Sequence, residues 1–382
     1  MPPLLLTPGP LTTDPRVRAA MGRDWGSRDA AFIALTAELR ERLLAVANGA
    51  GTHLAVPLQG SGTFIVEAAI ATLVRPGDKL LALVNGAYGR RMVEIARRLG
   101  RPVEVLEWVE NAPVDPAQVK AALDADPAIT HLALVHCETT SGLLNPLAEV
   151  AAMTAEAGRR LILDAMSSFG ALPIDLSRTP IAAVLASSNK CLEGVPGLGF
   201  ALIERSALEA AKGVSPSLSL DLHDQWRGFE ANGQWRFTPP VQVVAALVEA
   251  LRLLEAEGGA PARLARYQAN LKVVVEGFSQ LGYAPYLDPS LQAPIIATFR
   301  SPDGFDFEAF YDALAARDFI IYPGKLTREP SFRIGCIGAV EPEDFEHLVA
   351  AAAEITAQKP SAAPGSRPRS ARIGSSPRGS GQ

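Results

Sequence analysis

A single lysine, Lys190, lies in a segment whose residue types suit covalent chemistry with a carbonyl compound. The apolar run 182–186 predicts a buried strand, small polar residues follow it, and a loop rich in glycine and proline occupies 194–199 before a second predicted strand at 200–203. A lysine between two buried strands must pair its charge or lose it, and the neutral amine is the form that Schiff-base formation requires. A solvated surface lysine in a loop is the alternative.

Asp164 closes the segment 160–164, in which three apolar residues precede the carboxylate, and small polar residues follow it too. This pattern predicts a parallel strand whose carboxyl end enters a site. The ring of pyridoxal 5′-phosphate (PLP) needs a carboxylate against its pyridine nitrogen, which keeps the nitrogen protonated and the ring an electron sink. Asp164 and Lys190 on successive strand ends supply both groups. Together they favour PLP chemistry over a loop cap or a metal ligand at Asp164, and no metal site is predicted.

A turn made of Ser61, Gly62 and Thr63 lies between a predicted strand at 53–59 and a predicted helix from about residue 64. Free N–H groups and the positive end of the helix dipole make such a turn a candidate phosphate site. An ordinary helix cap uses the same residue types and remains the alternative.

The elements that would position these residues alternate between strands and helices. Apolar runs predict strands at 79–84, 103–108 and 131–136 with amphipathic helices between them, and a further helix is predicted at 218–227. The alternation predicts an α/β fold with a mostly parallel central sheet and helices on both faces. Ligands bind beyond the carboxyl ends of such strands, and the polar clusters of the sequence follow the predicted strands.

The sequence pattern changes after residue 258, and we divide the chain accordingly. Residues 1–20 form a proline-rich arm, 21–258 a large α/β domain that would bind the cofactor, and 259–358 a smaller C-terminal α+β domain. Residues 359–382 consist mainly of Pro, Ser, Gly, Ala and Arg, which cannot bury a core, so we expect this tail to be disordered.

The composition excludes several classes of partner. The chain has 382 residues, of which 48% are hydrophobic and 20% charged, with a formal net charge of -5. These values are ordinary for a globular protein and predict no nucleic-acid partner. No apolar run is long enough to span a membrane. Cys137, Cys191 and Cys336 lie far apart, so no disulfide framework or zinc site is predicted. The first residues lack a signal-peptide pattern, and we expect a cytoplasmic protein.

The ordered set of motifs resembles the class V aminotransferases, PLP enzymes of fold type I. The segments that carry the resemblance span nearly the whole chain to about residue 356 and include LLTPGPLTT (5–13), LQGSGT (58–63), NGAYGRRMVE (85–94), HCETTSGLLNP (136–146), DAMSSFG (164–170), SSNKCLEGVPG (187–197), WRFTPP (235–240), PGK (323–325) and FRIGCIG (332–338). The resemblance is closer to members that pass the amino group of 2-aminoethylphosphonate to pyruvate, giving phosphonoacetaldehyde and alanine. Members of the alanine–glyoxylate or serine–pyruvate type are the alternative.

The resemblance implies roles for the residues that would contact the cofactor ring. Lys190 would form the Schiff base with PLP and then move the proton during transamination, and Asp164 would hold the pyridine nitrogen. Tyr88 would stack on the ring face, and Thr139 would hydrogen-bond the phenolic oxygen of the cofactor. A core aromatic at Tyr88 and a turn residue at Thr139 are the structural alternatives.

The resemblance also implies anion sites and a shared subunit interface. The turn 61–63 would hold the cofactor phosphate, joined by Thr238 from a neighbouring subunit, so a homodimer with shared active sites is the expected minimum. Arg333 would bind the donor's phosphonate and pyruvate's carboxylate in turn, because a planar guanidinium fits either group. A structural salt bridge is the alternative for Arg333, and Arg28 is the second candidate for an anion anchor.

Two other classes of PLP protein fit the sequence less well. A cysteine desulfurase needs a reactive cysteine on a mobile loop, whereas Cys336 lies in a predicted strand. A PLP-binding regulator without catalysis usually joins this fold to a DNA-binding helix-turn-helix, and none is predicted before Leu5.

Overall fold

The computed structural model of the protein describes residues 2–357. Its helices are α1 (Pro15–Ala19), α2 (Ala30–Val46), α3 (Gly62–Leu73), α4 (Ala87–Arg98), α5 (Pro116–Ala125), α6 (Leu147–Glu156), α7 (Arg205–Glu209), α8 (Leu222–Asn232), α9 (Val241–Glu257), α10 (Gly259–Gln280), α11 (Phe307–Ala315) and α12 (Pro342–Ala357), with a short 3-10 turn at Ala20–Gly22. Its strands are β1 (Leu4–Leu5), β2 (His53–Gln59), β3 (Lys79–Val84), β4 (Val103–Glu107), β5 (Ile129–Val135), β6 (Cys137–Glu138), β7 (Leu143–Leu144), β8 (Arg160–Asp164), β9 (Ala183–Ser187), β10 (Leu198–Glu204), β11 (Ile296–Arg300), β12 (Phe319–Ile320), β13 (Tyr322–Pro323) and β14 (Ser331–Gly335).

The central sheet has seven strands in the order β2-β10-β9-β8-β5-β3-β4. Its strands run parallel except for β10, which is antiparallel to both of its neighbours, β2 and β9. The predicted α/β fold with a mostly parallel sheet is therefore confirmed. A short loop without a helix joins β9 to β10, and a connection of that kind links antiparallel rather than parallel strands.

Helices cover both faces of this sheet because its strands are apolar on both sides. Side chains of α2, α5, α6 and α9 pack in the core on one face, including the fully buried Phe32, Leu39 and Leu247. Side chains of α3, α4 and α8 pack on the other face, including Ile65 and Ile70. The two cores hold the strand ends rigidly, and polar loops follow at the carboxyl edge.

The last part of the described chain forms a smaller antiparallel sheet, β11-β14-β13, covered by helices α10, α11 and α12. Aromatic rings dominate its core, and the stacked rings of Phe299 and Phe332 have centroids 5.4 Å apart. The N-terminal strand β1 pairs in parallel with β12 of this part, so the arm crosses from one part of the molecule to the other. The helices α9 and α10 are separated at Gly258, whose φ is 111°. The predicted division after 258 falls at this break and stays a prediction.

The predicted start of the helix at 218–227 is wrong, because α8 begins four residues later. The side chain of Asp221 accepts a hydrogen bond from the Asp224 backbone N–H at 3.0 Å and thereby caps the helix at that point. Ser217 holds the preceding turn, since its Oγ accepts from the Leu220 N–H at 3.1 Å.

No helix within residues 2–357 is long and apolar enough to cross a bilayer. The predicted disorder of the tail 359–382 concerns residues that lie outside the described part of the chain.

Candidate active site

A cavity of about 200 Å³ lies where β8 and β9 end. Six of the predicted site residues line it, namely Ser61, Gly62, Thr63, Tyr88, Asp164 and Lys190. Residues that the sequence analysis did not single out also line it, among them Arg91, Met166 and Asn189. Thr139, Thr238, Arg333 and Arg28 are not part of this lining.

Lys190 is a half-buried lysine whose amine is held by the N-terminal arm. Its Nζ donates a hydrogen bond to the backbone carbonyl of Pro8 at 2.6 Å. Burial lowers the pKa of Lys190, while the nearby Tyr88 and Asp164 act in the opposite direction. A larger fraction of the amine is therefore neutral here than on a solvated lysine, and the neutral form is the nucleophile.

Asp164 is the last residue of β8 and is only 5% exposed. Its Oδ1 accepts a hydrogen bond from the Met166 N–H at 2.9 Å, and its second oxygen accepts none from residues 2–357. Burial raises the pKa of Asp164 to about 6, and the charge of Glu138 adds to that effect. The carboxylate therefore favours a cationic N–H partner in the cavity.

The N-terminus of α3 opens into the same cavity. Ser61 is the N-cap residue, yet its side chain makes no capping hydrogen bond. Thr63 Oγ1 accepts a hydrogen bond from Arg91 Nη1 at 3.2 Å. A helix N-terminus next to two hydroxyls and a guanidinium is a site for a phosphate or similar anion.

Arg91 was missed by the sequence analysis, although one signal could have found it. It lies three residues after Tyr88 on α4, and residues at that spacing share a helix face. Its guanidinium carbon is 5.0 Å from the centroid of the Tyr88 ring. Because Tyr88 was predicted to contact the cofactor, the helix spacing alone would have predicted Arg91 at the same cavity.

Glu138 positions the segments on either side of the cavity. Its Oε2 accepts hydrogen bonds from the backbone N–H groups of Tyr88 at 3.1 Å and Gly89 at 3.4 Å, and its Oε1 accepts from the Thr140 N–H at 3.1 Å and hydroxyl at 2.6 Å. A Cβ on Gly86 would overlap the carboxylate, so the close approach requires glycine there. Burial raises the pKa of this fully buried carboxyl group. Its place at the start of α4 suits a negative charge.

Tyr88 lies in an electropositive surrounding. Burial alone raises the pKa of its hydroxyl, but the charge of Lys190 and a hydrogen bond with the Thr139 side chain outweigh burial, so the pKa is lowered. Lys325 Nζ lies 5.5 Å from the ring centroid. Thr139 thus acts on the cavity through Tyr88.

Arg333 is buried on β14 and is only 1% exposed. Its Nε donates to the Pro323 carbonyl at 2.9 Å and its Nη1 to the Thr139 carbonyl at 2.8 Å. It forms no salt bridge with a carboxylate of residues 2–357, and Nη2 makes no hydrogen bond there. Burial lowers the pKa of Arg333. Within residues 2–357, two backbone carbonyls hold the Arg333 side chain, and the alternative of a structural salt bridge does not apply there.

Arg28 and Thr238 lie at exposed positions and away from the cavity of their own chain. Thr238 follows Phe237, whose side chain is 51% exposed. A contribution of Thr238 to the site of a neighbouring subunit stays a prediction, as does an anchoring role for Arg28.

The sequence matches a known protein family and is similar to named relatives. A profile of the family described as aminotransferase class-V matches residues 16–338. The chain is 54% identical to 2-aminoethylphosphonate–pyruvate transaminase 2 of Burkholderia lata over 92% of the chain and 94% of that protein. It is 53% identical to 2-aminoethylphosphonate–pyruvate transaminase of Pseudomonas putida strain GB-1 over 92% of the chain and 96% of that protein.

Solved structures with similar folds cover nearly the whole chain. An alanine–glyoxylate aminotransferase from Nostoc sp. is 29% identical with a TM-score of 0.87, over 93% of this chain and 95% of that one. A pyridoxamine–pyruvate aminotransferase from Mesorhizobium loti is 28% identical with a TM-score of 0.85, over 94% of this chain and 93% of that one.

Proposed function

The chain belongs to the class V aminotransferase family, and we propose that it transfers the amino group of 2-aminoethylphosphonate to pyruvate, giving phosphonoacetaldehyde and alanine. The observation that carries the proposal is the meeting of Lys190, Asp164 and the N-terminus of α3 in one cavity. The substrate assignment is supported by the transaminases of Burkholderia and Pseudomonas, which are far more similar in sequence than the alanine–glyoxylate enzyme from Nostoc.

The cofactor of this proposal is PLP, and the residues of the cavity fit it. The N-terminus of α3 with Ser61, Thr63 and Arg91 suits its phosphate, and the open oxygen of Asp164 suits the N–H of its pyridine ring. Tyr88 offers an aromatic face. When bound, PLP supplies the electron sink that makes a proton on the amine-bearing carbon of the substrate removable.

In this mechanism the chain binds the substrate, positions it and moves a proton. Lys190 would hold the cofactor through its Nζ, and the same nitrogen, once free, would take a proton from the amine-bearing carbon of the donor and, in the second half-reaction, give a proton to the carbonyl carbon of pyruvate. The lowered pKa of Lys190 favours the neutral amine that accepts this proton. Arg333, through its remaining N–H groups, binds the phosphonate and the pyruvate carboxylate in successive half-reactions.

The proposal includes a homodimer in which Thr238 reaches the neighbouring subunit's phosphate site. Support comes from two exposed aromatic rings, each 51% exposed: Phe64 directly follows the phosphate turn, and Phe237 directly precedes Thr238. Large exposed apolar side chains commonly mark an interface, and a two-fold dimer would cover both. We also place the reaction in the cytoplasm, since the three cysteines are free, buried thiols, as a reducing compartment favours.

An amine-donor panel tests the proposed reaction. Formation of alanine from pyruvate is measured with 2-aminoethylphosphonate, serine and taurine, and the alanine–glyoxylate pair is measured separately. We expect kcat/KM for 2-aminoethylphosphonate to exceed the others by on the order of 100-fold, because a phosphonate carries up to two negative charges and three acceptor oxygens, whereas the sulfonate of taurine and the carboxylate of serine carry one charge each and differ in shape. A serine or alanine–glyoxylate rate equal to or above it would assign the chain to the alternative type.

A further inference from the structure

The turn that carries Lys190 is held from its far side by a buried group of side chains, which we call the Glu193 cluster: Glu193, Arg263, Arg266 and Tyr267. Glu193 is 6% exposed, Arg263 is 1% exposed and Tyr267 is fully buried. Glu193 lies on the turn itself, and its three partners lie on α10. None of the four lines the cavity of the proposed reaction.

Glu193 adopts a backbone conformation that residues other than glycine rarely adopt. Its φ is 60°, in the left-handed region. Its N–H donates to the Lys190 carbonyl at 2.8 Å, and the next residue, Gly194, donates to the Ser188 carbonyl at 2.9 Å. The conformation costs on the order of 1 kcal/mol, so other contacts must hold it.

The side-chain contacts of the cluster provide that hold. Glu193 Oε1 accepts hydrogen bonds from the Tyr267 hydroxyl at 2.6 Å and from Arg266 Nη2 at 2.8 Å. Arg263 Nη1 donates to the Cys191 carbonyl at 2.8 Å. Two residues of the turn, Cys191 and Glu193, are thus fixed to one helix by charge-assisted hydrogen bonds, which are among the strongest in proteins.

The same helix also holds the segment that follows Arg333. Arg266 Nη1 donates to the carbonyls of Gly338 at 2.6 Å and Val340 at 3.0 Å. The Tyr267 hydroxyl accepts from the Gly338 N–H at 3.3 Å. Because β14 carries Arg333 and ends just before this segment, the cluster joins the lysine turn to the strand of the arginine.

We propose that Glu193 is a positioning residue for Lys190, fixing through Arg266 and Tyr267 the place of the Lys190 amine relative to the cavity and to Arg333. The inference rests on the proposed function, because it concerns the amine that would hold PLP. Without the carboxylate, the turn relaxes and Nζ shifts, while Arg333 keeps its backbone contacts. Turnover should therefore fall more than substrate affinity.

Three variants separate this role from general stability. Glu193→Gly keeps the left-handed backbone favourable and removes the anchor, while Glu193→Gln keeps an oxygen acceptor for Tyr267. The matched control is Glu257→Gln, since Glu257 accepts from Arg263 Nη2 at 2.6 Å and Arg266 Nε at 2.9 Å but, within residues 2–357, forms no hydrogen bond or ion pair with the turn. The measurements are the rate at which cofactor-free protein takes up PLP, followed by its visible absorbance, and kcat and KM for both substrates.

We expect Glu193→Gly to lower kcat by about 100-fold, the size of effect that a misplacement of about 1 Å produces, with KM within about threefold of the wild-type value. Uptake of PLP should slow by about tenfold, Glu193→Gln should recover part of both losses, and Glu257→Gln should stay within about threefold of wild type.

Turnover and uptake of Glu193→Gly within threefold of the Glu257→Gln values would overturn the proposal. If Glu193→Gly does not fold, Tyr267→Phe, which removes one hydrogen bond to Glu193, takes its place and must slow uptake relative to Glu257→Gln. A wild-type protein that takes up PLP but fails with 2-aminoethylphosphonate contradicts the proposed substrate. The uptake comparison needs no substrate and still decides the role of Glu193.

Discussion

Burial favours the uncharged forms of both Lys190 and Asp164, and so it shifts their pKa values in opposite directions. The pKa of Lys190 is lowered and that of Asp164 is raised to about 6, with burial as the main cause in both cases. Perturbed groups that share a cavity are typical of functional sites. The lysine gains reactivity from this environment, whereas the carboxylate gains from a protonated nitrogen beside it.

Replacing Lys190 with alanine should separate covalent from non-covalent cofactor binding. The variant keeps the N-terminus of α3 and Asp164 and should still bind PLP, but it should lose the Schiff-base absorbance and nearly all transaminase turnover. Equilibrium dialysis with PLP, visible spectra and the transaminase assay measure these outcomes. The control is Lys79→Ala. Lys79 lies on β3, and its Nζ forms an ion pair with Glu104 Oε2 at 2.6 Å. Near-normal turnover of Lys190→Ala would refute the proposed mechanism.

The Arg333→Lys variant should be impaired with both substrates. Two of the guanidinium's five N–H groups are used on the Pro323 and Thr139 carbonyls, so three remain for substrate. Loss of one or two charge-assisted hydrogen bonds, at roughly 1.5–3 kcal/mol each, should lower kcat/KM by on the order of 10–10⁴-fold in each half-reaction.

Single-turnover measurements of each half-reaction test this expectation for Arg333→Lys. The matched control is Arg300→Lys, on the neighbouring strand β11 and ion-paired with Glu329 at 2.8 Å. The absorbance of the bound cofactor should stay normal in both variants. If only the pyruvate half-reaction suffers, the phosphonate has a separate anchor, and Arg28 becomes the next candidate to test.

At the level of elements, the sequence was informative wherever one strand or helix buries an apolar run. The strands ending at Asp164 and near Lys190 were predicted within about one residue, because each contains a short apolar run, such as residues 161–163, that is buried in the sheet. The predicted start of α8 was wrong because the helix begins where the Asp221 side chain caps it. Local propensity gives no view of contacts across the chain, and so Pro8, whose carbonyl receives the Lys190 amine, was missed.

The arm should depend on glycine at position 9. Its φ is 112°, and a Cβ there would lie 2.5 Å from the Asn189 carbonyl oxygen and 2.8 Å from Lys190 Cδ. Gly9→Ala should therefore displace the arm from Lys190, lower the melting temperature by about 2–5 °C and reduce turnover. Gly22→Ala is the matched control, because a Cβ at Gly22 meets nothing within 4 Å. Equal melting temperatures and rates of the two variants would contradict the role of the arm.

At the scale of the whole molecule, the last helix of the described chain, α12, packs firmly against the rest of the protein. Phe345, Leu348 and Ile355 of that helix are buried in the core of the smaller sheet. Because the composition of 359–382 cannot bury a core, we expect its deletion to leave the melting temperature within about 1 °C and the rates unchanged. Calorimetry and the transaminase assay on the shortened protein measure this. A fall of several degrees would show that the tail docks on the folded body.

The pairing of the arm has a consequence for synthesis on the ribosome. Leu4 and Leu5 pair with Phe319 and Ile320, and the Leu6 carbonyl accepts from the Gly335 N–H at 2.9 Å, so residues of the arm bind residues that are synthesised much later. A nascent chain emerges N-terminus first and can form the central sheet early. The Pro8 carbonyl, however, reaches Lys190 only after those late residues have left the exit tunnel. The amine that would bind the cofactor is thus among the last groups to acquire its final neighbours during translation.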